Sequence, residues 1–324
     1  MKRKIKVIKV VLATAAVIFC LTLIIVLRAN TATITILQTS DIHGMLYPYN
    51  YEKNTSTVYS MAQVASVVKQ QRIRDPKLLL IDTGDTSRGN CVEELRNFLV
   101  HPVTQAMNYL EYNVWTIGNH EFNFEFSCLE KQIADFGGTV VTGNVYTKEG
   151  ERFLSAYKIF KIRGVKVVVF GLTASRVPVW ERNTPEHYDE MSFTEPIDEV
   201  GKILEEIGDS ADIIIGNIHY GLQSKYGSVG VGQIAEKYGD KIDALLIGHD
   251  HDSVCRKING VIVLEPACFG KFVSRLQFTL SKSADGWQIN KALTQYELIN
   301  TAYYSPDRQY IKEFSWIHDK LMQN

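Results

Sequence analysis

Leu78-Leu79-Leu80-Ile81 is an unbroken apolar run that ends abruptly in Asp82-Thr83-Gly84-Asp85, and the same figure recurs along the chain. An apolar run without polar alternation is what a strand buried on both faces requires, so the fold must cover a sheet from two sides. Residues 33–38, 114–117, 139–141, 212–217 and 243–247 read as further strands. Between them, residues 59–73 carry Met61, Val64, Ala65 and Val68 at helical spacing, and residues 102–111, 126–136 and 198–207 are also read as helices. Residues 157–162 and 165–172 form a hairpin around Arg163-Gly164, and residues 275–280 and 287–298 form another around Asp285-Gly286. A two-residue turn at Asn259-Gly260 sets Cys255 opposite Leu264 rather than Cys268. The expectation is a layered α/β domain with a mixed sheet core.

One regularity turns this pattern toward function. Asp41, His43, Asp85, Asn119, His219, His249 and His251 each fall just after the carboxyl end of an apolar strand. Ligands of open α/β sheets gather at that edge, so residues far apart in sequence converge. Oxygen and imidazole donors without thiolates suit Zn, Mn or Fe better than Ca or Mg. The inventory fits two divalent ions, one on Asp41, His43 and His251 and the other on Asn119, His219 and His249, with Asp85 bridging them. Such a pair clamps the attacking and leaving oxygens of a phosphoryl displacement and activates a bridging water. Neighbouring side chains in an extended or turned backbone point apart, so Asn119 can offer its oxygen to metal while His120 faces substrate and protonates the leaving group.

These motifs, Asp41-x-His43, Gly84-Asp85, Gly118-Asn119-His120-Glu121, His219 and Gly248-His249-x-His251, resemble the signature of calcineurin-like metallophosphoesterases. Thr39-Ser40-Asp41-Ile42-His43-Gly44 and residues 118–122 are similar, more narrowly, to the 5′-nucleotidase and 2′,3′-cyclic-nucleotide 2′-phosphodiesterase family. The resemblance implies a four-layered α/β sandwich over residues 33–298, a dinuclear site and hydrolysis of a nucleotide or other small phosphoester. Where many family 5′-nucleotidases carry an aspartate three residues after the catalytic histidine, this chain has Asn123, which accepts the imidazole proton without adding charge. Asn123 and Val177-Pro178-x-Trp180-Glu181 lean toward the cyclic-nucleotide and 3′-nucleotide branch. Trp180 is read equally as a cap on the core edge and as a substrate contact.

Outside these motifs the expectations are plainer. Asp82 is a structural hydrogen-bonder, Glu121 caps or orients its loop, His101 starts a helix at the surface, and Asp250 and Asp252 stay outside the ligand set. The cysteines Cys20, Cys91, Cys128, Cys255 and Cys268 show no framework spacing and read as small buried thiols. Residues 10–27 carry no charge and follow Lys2, Arg3, Lys4, Lys6 and Lys9. That is long enough to cross a bilayer with the N-terminus inside. A signal-anchor over residues 1–32 is favoured over a cleaved signal peptide, and either places the catalytic part outside the cytoplasm, at the cell membrane if the segment stays. The formal charge of -1 gives no field for a nucleic acid polymer. Residues 299–324 resemble the linker helix that leads, in full-length relatives, to a C-terminal substrate-specificity domain; Tyr303, Tyr304, Tyr310, Phe314 and Trp316 read as its docking face. The expectation is either a minimal phosphoesterase, on nucleotides or phospholipid head groups, or a module completed by a separately encoded C-terminal domain.

Overall fold

The structure, a computed structural model, describes Thr14 and residues 30–223 and 229–323. One sheet is built on four parallel strands, β1 (Thr31–Thr39), β4 (Leu79–Asp82), β5 (Val114–Thr116) and β6 (Thr139–Val141). On its other side β1 pairs antiparallel with β15 (Phe272–Ser283), which carries β16 (Gly286–Ile289) and β17 (Gln295–Asn300). The second sheet runs β13 (Ser253–Ile258), β14 (Val261–Pro266), β12 (Ala244–Ile247), β11 (Ile213–Ile218), β9 (Val165–Leu172) and β8 (Tyr157–Ile162). Its four inner strands are parallel and its two edges antiparallel. Two short ribbons, β2 (Tyr49–Asn50) with β3 (Thr55–Ser56) and β7 (Val145–Thr147) with β10 (Met191–Phe193), lie outside both sheets.

The sheets pack face to face because alternate residues of each strand project to opposite sides. Ile34, Ile36, Ile81 and Val114 meet Val167, Val169, Ile215 and Leu246 in the seam between them. The opposite face of the first sheet, with Leu37, Leu80 and Trp115, is covered by α1 (Met61–Arg74), α2 (Pro102–Tyr109), α3 (Phe126–Asp135) and α7 (Arg308–Leu321). On the second sheet, Phe170, Leu245 and Ile247 lie under α5 (Pro196–Ile207) and α6 (Val231–Tyr238). The one-turn α4 (Val177–Trp180) follows β9. Both early turn readings hold: Arg163 and Gly164 adopt φ of 51° and 83°, Asn259 and Gly260 adopt 47° and 85°, and Cys255 faces Leu264.

Several expectations need correction. The strand expected over residues 287–298 is cut after Ile289, at Asn290, whose side-chain oxygen accepts from the Ala292 N–H and whose carbonyl accepts from the Leu293 N–H. As a result β16 pairs with the far end of β15 and β17 with its beginning. His101 does head α2, but it is buried. Pro102 has no N–H to offer, and the imidazole Nδ1 instead accepts from the Val103 N–H at 3.3 Å. Among the cysteines Cys268 is buried, Cys91 and Cys128 are half-buried and Cys255 is exposed, since β13 is an edge strand. Tyr310 and Phe314 of α7 enter the core, whereas Tyr303 sits before the helix in a short turn and is 87% exposed. Apart from Thr14, the expected membrane segment lies outside the described residues, and among the described residues no helix is long and apolar enough to cross a membrane.

Candidate metal centre

The carboxyl ends of β1, β4 and β5 in one sheet and of β11 and β12 in the other open onto the same space, and each releases one motif there. Asp41, His43 and His251 form one group and Asp85, His219 and His249 a second; within each, the donor atoms lie within 4.8 Å of one another. His43 Nε2 and His251 Nε2 approach to 2.9 Å, and His251 Nε2 lies 3.3 Å from Asp41 Oδ1. His219 Nε2 lies 3.1 Å from Asp85 Oδ2 and 3.2 Å from Asn119 Oδ1, which brings Asn119 to the second group. His219 Nδ1 meets the Thr83 carbonyl at 2.6 Å, which fixes that ring's orientation and leaves Nε2 for the site. All seven expected residues therefore meet. Asp250 and Asp252 belong to neither group.

The backbone is bent to make this possible. Asp41, His43, Asp85, His249 and His251 all adopt left-handed φ, at 52°, 46°, 54°, 86° and 60°. L-residues avoid that region, so its concentration in five of the seven marks a constraint imposed by the site rather than by local preference. Gly118 is required by close approach: a Cβ there would meet the Asp85 side chain and, at 2.5 Å, the Asp85 backbone nitrogen. Glu121 holds the same loops together. Its buried carboxylate accepts from the backbone N–H groups of Asp85, Thr86, Ser87 and Gly118 at 2.7–3.1 Å. Asp82 accepts from Thr39, Thr86 and the Gly84 N–H, and burial pushes its carboxyl up to about 7.

Beneath the site a buried polar network ties the two sheets together. Gln38 donates to Thr83 Oγ1 and to the Ile247 carbonyl, Thr83 donates to Asn217 Oδ1, and Asn217 donates to the Asp82 carbonyl and Thr116 Oγ1. Sequence reading missed these residues. Their signal was a lone amide inside each of two strands, Gln38 among the threonines and aliphatics of β1 and Asn217 in the otherwise apolar β11.

The charges sort into two kinds. Burial would raise Asp85, but the charges of His219 and His120 outweigh it and hold the carboxyl well below the usual range. Burial would also raise Asp41, yet the hydrogen bond from His251 and the charge of His219 bring it down. Correspondingly, burial would lower His219, but Asp85 carries it up to about 10. The hydrogen bond with Asp41, and then contact with Cys268, raise His251 to about 10. His43 is pushed down by burial, and His249 to about 4 by burial and the charge of His219. Two ionised carboxylates, two neutral imidazoles and an amide oxygen form a donor set that fits divalent cations, which would compete with the protons on His219 and His251.

Residues 34–253 match the family model for calcineurin-like phosphoesterases. The chain belongs to that family. It is 26% identical over 294 residues to the trifunctional nucleotide phosphoesterase YfkN of Bacillus subtilis, covering 79% of this chain and 20% of that one. To a 2′,3′-cyclic-nucleotide 2′-phosphodiesterase/3′-nucleotidase of Yersinia enterocolitica it is 25% identical over 302 residues, covering 82% of this chain and 46% of the relative. The chain thus spans less than half the length of both curated relatives. A crystal structure of the calcineurin-like phosphoesterase YfkN from Bacillus subtilis superimposes with a TM-score of 0.80 over 90% of this chain and 98% of that one, at 24% identity.

In this calcineurin-like chain, His120 sits at the rim of the two groups. Its N–H donates to Asp85 Oδ1 at 2.8 Å, and its Nε2 lies 3.9 Å from Asp85 Oδ2. On the ring's other edge, Nδ1 meets Asn123 Oδ1 at 2.5 Å and Arg88 Nη1 at 3.0 Å. Those two contacts exclude one another, because an arginine only donates and an amide oxygen only accepts. Arg88 lies in no motif and was not foreseen. Trp180 stacks on the His249 ring with centroids 5.0 Å apart, so it leans on a ligand-type residue rather than only closing the core edge.

Proposed function

We propose that this chain is a dinuclear-metal hydrolase of nucleotide phosphoesters, of the 2′,3′-cyclic-nucleotide phosphodiesterase or 3′- or 5′-nucleotidase type. Asp41, His43 and His251 would hold one divalent ion and Asn119, His219 and His249 the other, with Asp85 placed to contribute to both. The observation that carries this reading is the pair of three-residue groups meeting at the sheet ends, with Asp85 central to one and Asn119 beside it. Bound there, two divalent ions supply Lewis-acid charge to a phosphoryl group and a water made nucleophilic at neutral pH. The chain's own part is positioning and proton transfer. Asn123 Oδ1 takes the Nδ1–H of His120, which turns Nε2 toward the site as the donor to the leaving oxygen. The nucleotide substrate class comes from the names of the relatives and from their shared motifs. An extracytoplasmic location is part of the same reading, supported by the basic cluster and the uncharged residues 10–27.

The test is hydrolysis of 2′,3′-cyclic AMP, 3′-AMP, 5′-AMP and bis-p-nitrophenyl phosphate by the full chain in Mn or Zn, with bound metal measured on the same samples. Asp85→Asn and His219→Ala should lose both metal and turnover. His120→Ala should keep the metal and lose roughly 10²–10⁴-fold in rate. Full activity in His120→Ala would remove its leaving-group role, and two bound metals with no turnover of any substrate would remove the hydrolase reading.

A further inference from the structure

A cleft of about 350 Å³ opens beside His120, with His43 and His251 of the site in its walls together with Asn50, Lys53, Arg88 and Phe269. Arg88 stands out in it. The backbone around it is pinned: its carbonyl meets His43 Nδ1 at 3.1 Å, and the preceding Ser87 N–H is held by Glu121. Its side chain is exposed and, among the described residues, has no carboxylate partner. The contact it does make, to His120 Nδ1, is one that Asn123 replaces, so the guanidinium can be released to a ligand. The acids that share the cleft are engaged elsewhere, Glu52 on the Asn90 N–H and Glu93 on the Gly89 N–H, both at 3.1 Å. A planar guanidinium with free donors suits a phosphate group, which it can bind with two parallel hydrogen bonds.

The place of Arg88 on the His120 ring says which part of a substrate meets it. His120 Nε2 faces Asp85, and Nδ1 with Arg88 lies on the opposite edge of the ring. If His120 protonates the leaving oxygen, as in the reading above on which this step rests, the leaving alcohol passes His120 and enters the cleft. We propose that this cleft is a subsite for a second anionic group, a phosphate carried by the leaving alcohol, and that Arg88 binds it with Lys53 adding charge at the mouth. Phosphoesters of already phosphorylated nucleosides, such as nucleoside 3′,5′-bisphosphates, are the class it selects.

The experiment compares adenosine 3′,5′-bisphosphate with 3′-AMP, which differ only in that second phosphate. Calorimetric binding to the Mn-loaded full chain is measured in the His120→Ala background, which slows turnover at least about a hundredfold. Expected is at least about tenfold tighter binding of the bisphosphate, of the order that one charge-assisted contact supplies. Adding Arg88→Ala abolishes that advantage, and Arg88→Lys keeps part of it. Arg74→Ala, which removes a cation at the end of α1, leaves it intact. Equal affinity for the two ligands, or an Arg88→Ala loss shared equally by both, would overturn the subsite. A binding advantage that survives while the wild-type chain turns over neither compound would count against the hydrolase reading and leave the subsite standing.

Discussion

Glu121 touches no substrate in any of the readings above, yet at the scale of single residues it is the group on which the site's geometry hangs. Its carboxylate gathers four backbone N–H groups and the Ser87 hydroxyl from the two loops that present Asp85 and Asn119. A glutamine keeps the size but offers one oxygen, and turns an NH₂ toward donors it cannot accept from. Glu121→Gln should therefore cost about 2–4 kcal/mol in denaturant unfolding, from lost charge-assisted bonds and buried N–H groups left without acceptors. It should also weaken metal binding, read by titration of the metal-free protein; an unchanged affinity would mean that Asp85 holds its place without it. The ligand-type residues themselves were legible, because a strand's carboxyl end is marked in sequence by the stop of an apolar run. Their left-handed backbone was not, since nothing in Asp41 or His251 announces a φ above zero, and neither was Arg88, whose importance comes from a contact with a residue far along the chain.

Among the elements, α2 shows how a helix start can be read correctly and its surroundings misread. His101 before Pro102 signals the start, but the burial of its ring is set by packing that no local pattern records. Burial pushes the imidazole down to about 4, against an ordinary value of 6.5. Between those two values the unfolded chain binds the proton and the folded one does not, so stability is whole above pH 6.5 and falls as pH drops toward 4. The full span is on the order of 3 kcal/mol for one buried imidazole. Asp82 and Glu265, raised by burial to about 7 and about 8, act in the opposite sense, so the effect must be read as a difference between variants. His101→Asn keeps a capping acceptor without the titrating ring. Its unfolding free energy should depend less steeply on pH from 6.5 to 4 than that of wild type; parallel curves would show that His101 titrates normally. The late hairpin is the matching failure at this scale. Alternation within residues 287–298 was visible, but the turn at Asn290 depends on side-chain hydrogen bonds that the alternation does not encode.

For the whole molecule, the layering was legible as a class, though the apportioning of strands between two sheets was not. The apolar runs of β4 and β12 look alike in sequence, and only the pairing registers put them in different sheets. The network of Gln38, Thr83, Asn217 and Thr116 is what joins those sheets beneath the site, so the two groups of the candidate metal centre stand on one hydrogen-bonded floor. The last helix belongs to the same body. Tyr310, Phe314, Ile317 and Leu321 of α7 enter the core beside α1 and α2, and Tyr310 and Phe314 each meet Tyr109 edge-on. Two substitutions there should affect stability differently. Phe314→Ala removes a buried ring and should cost about 3–5 kcal/mol. The Tyr310 hydroxyl is buried with no hydrogen-bond partner among the described residues, so Tyr310→Phe removes a desolvated polar group and loses no bond. It should leave stability unchanged or raise it by about 1 kcal/mol. If both effects appear in a single cooperative transition, with metal affinity at the sheet ends falling only in Phe314→Ala, then α7 supports the site through the core. A separate early transition for Phe314→Ala, with metal binding intact, would instead make α7 an appendage that docks without being needed.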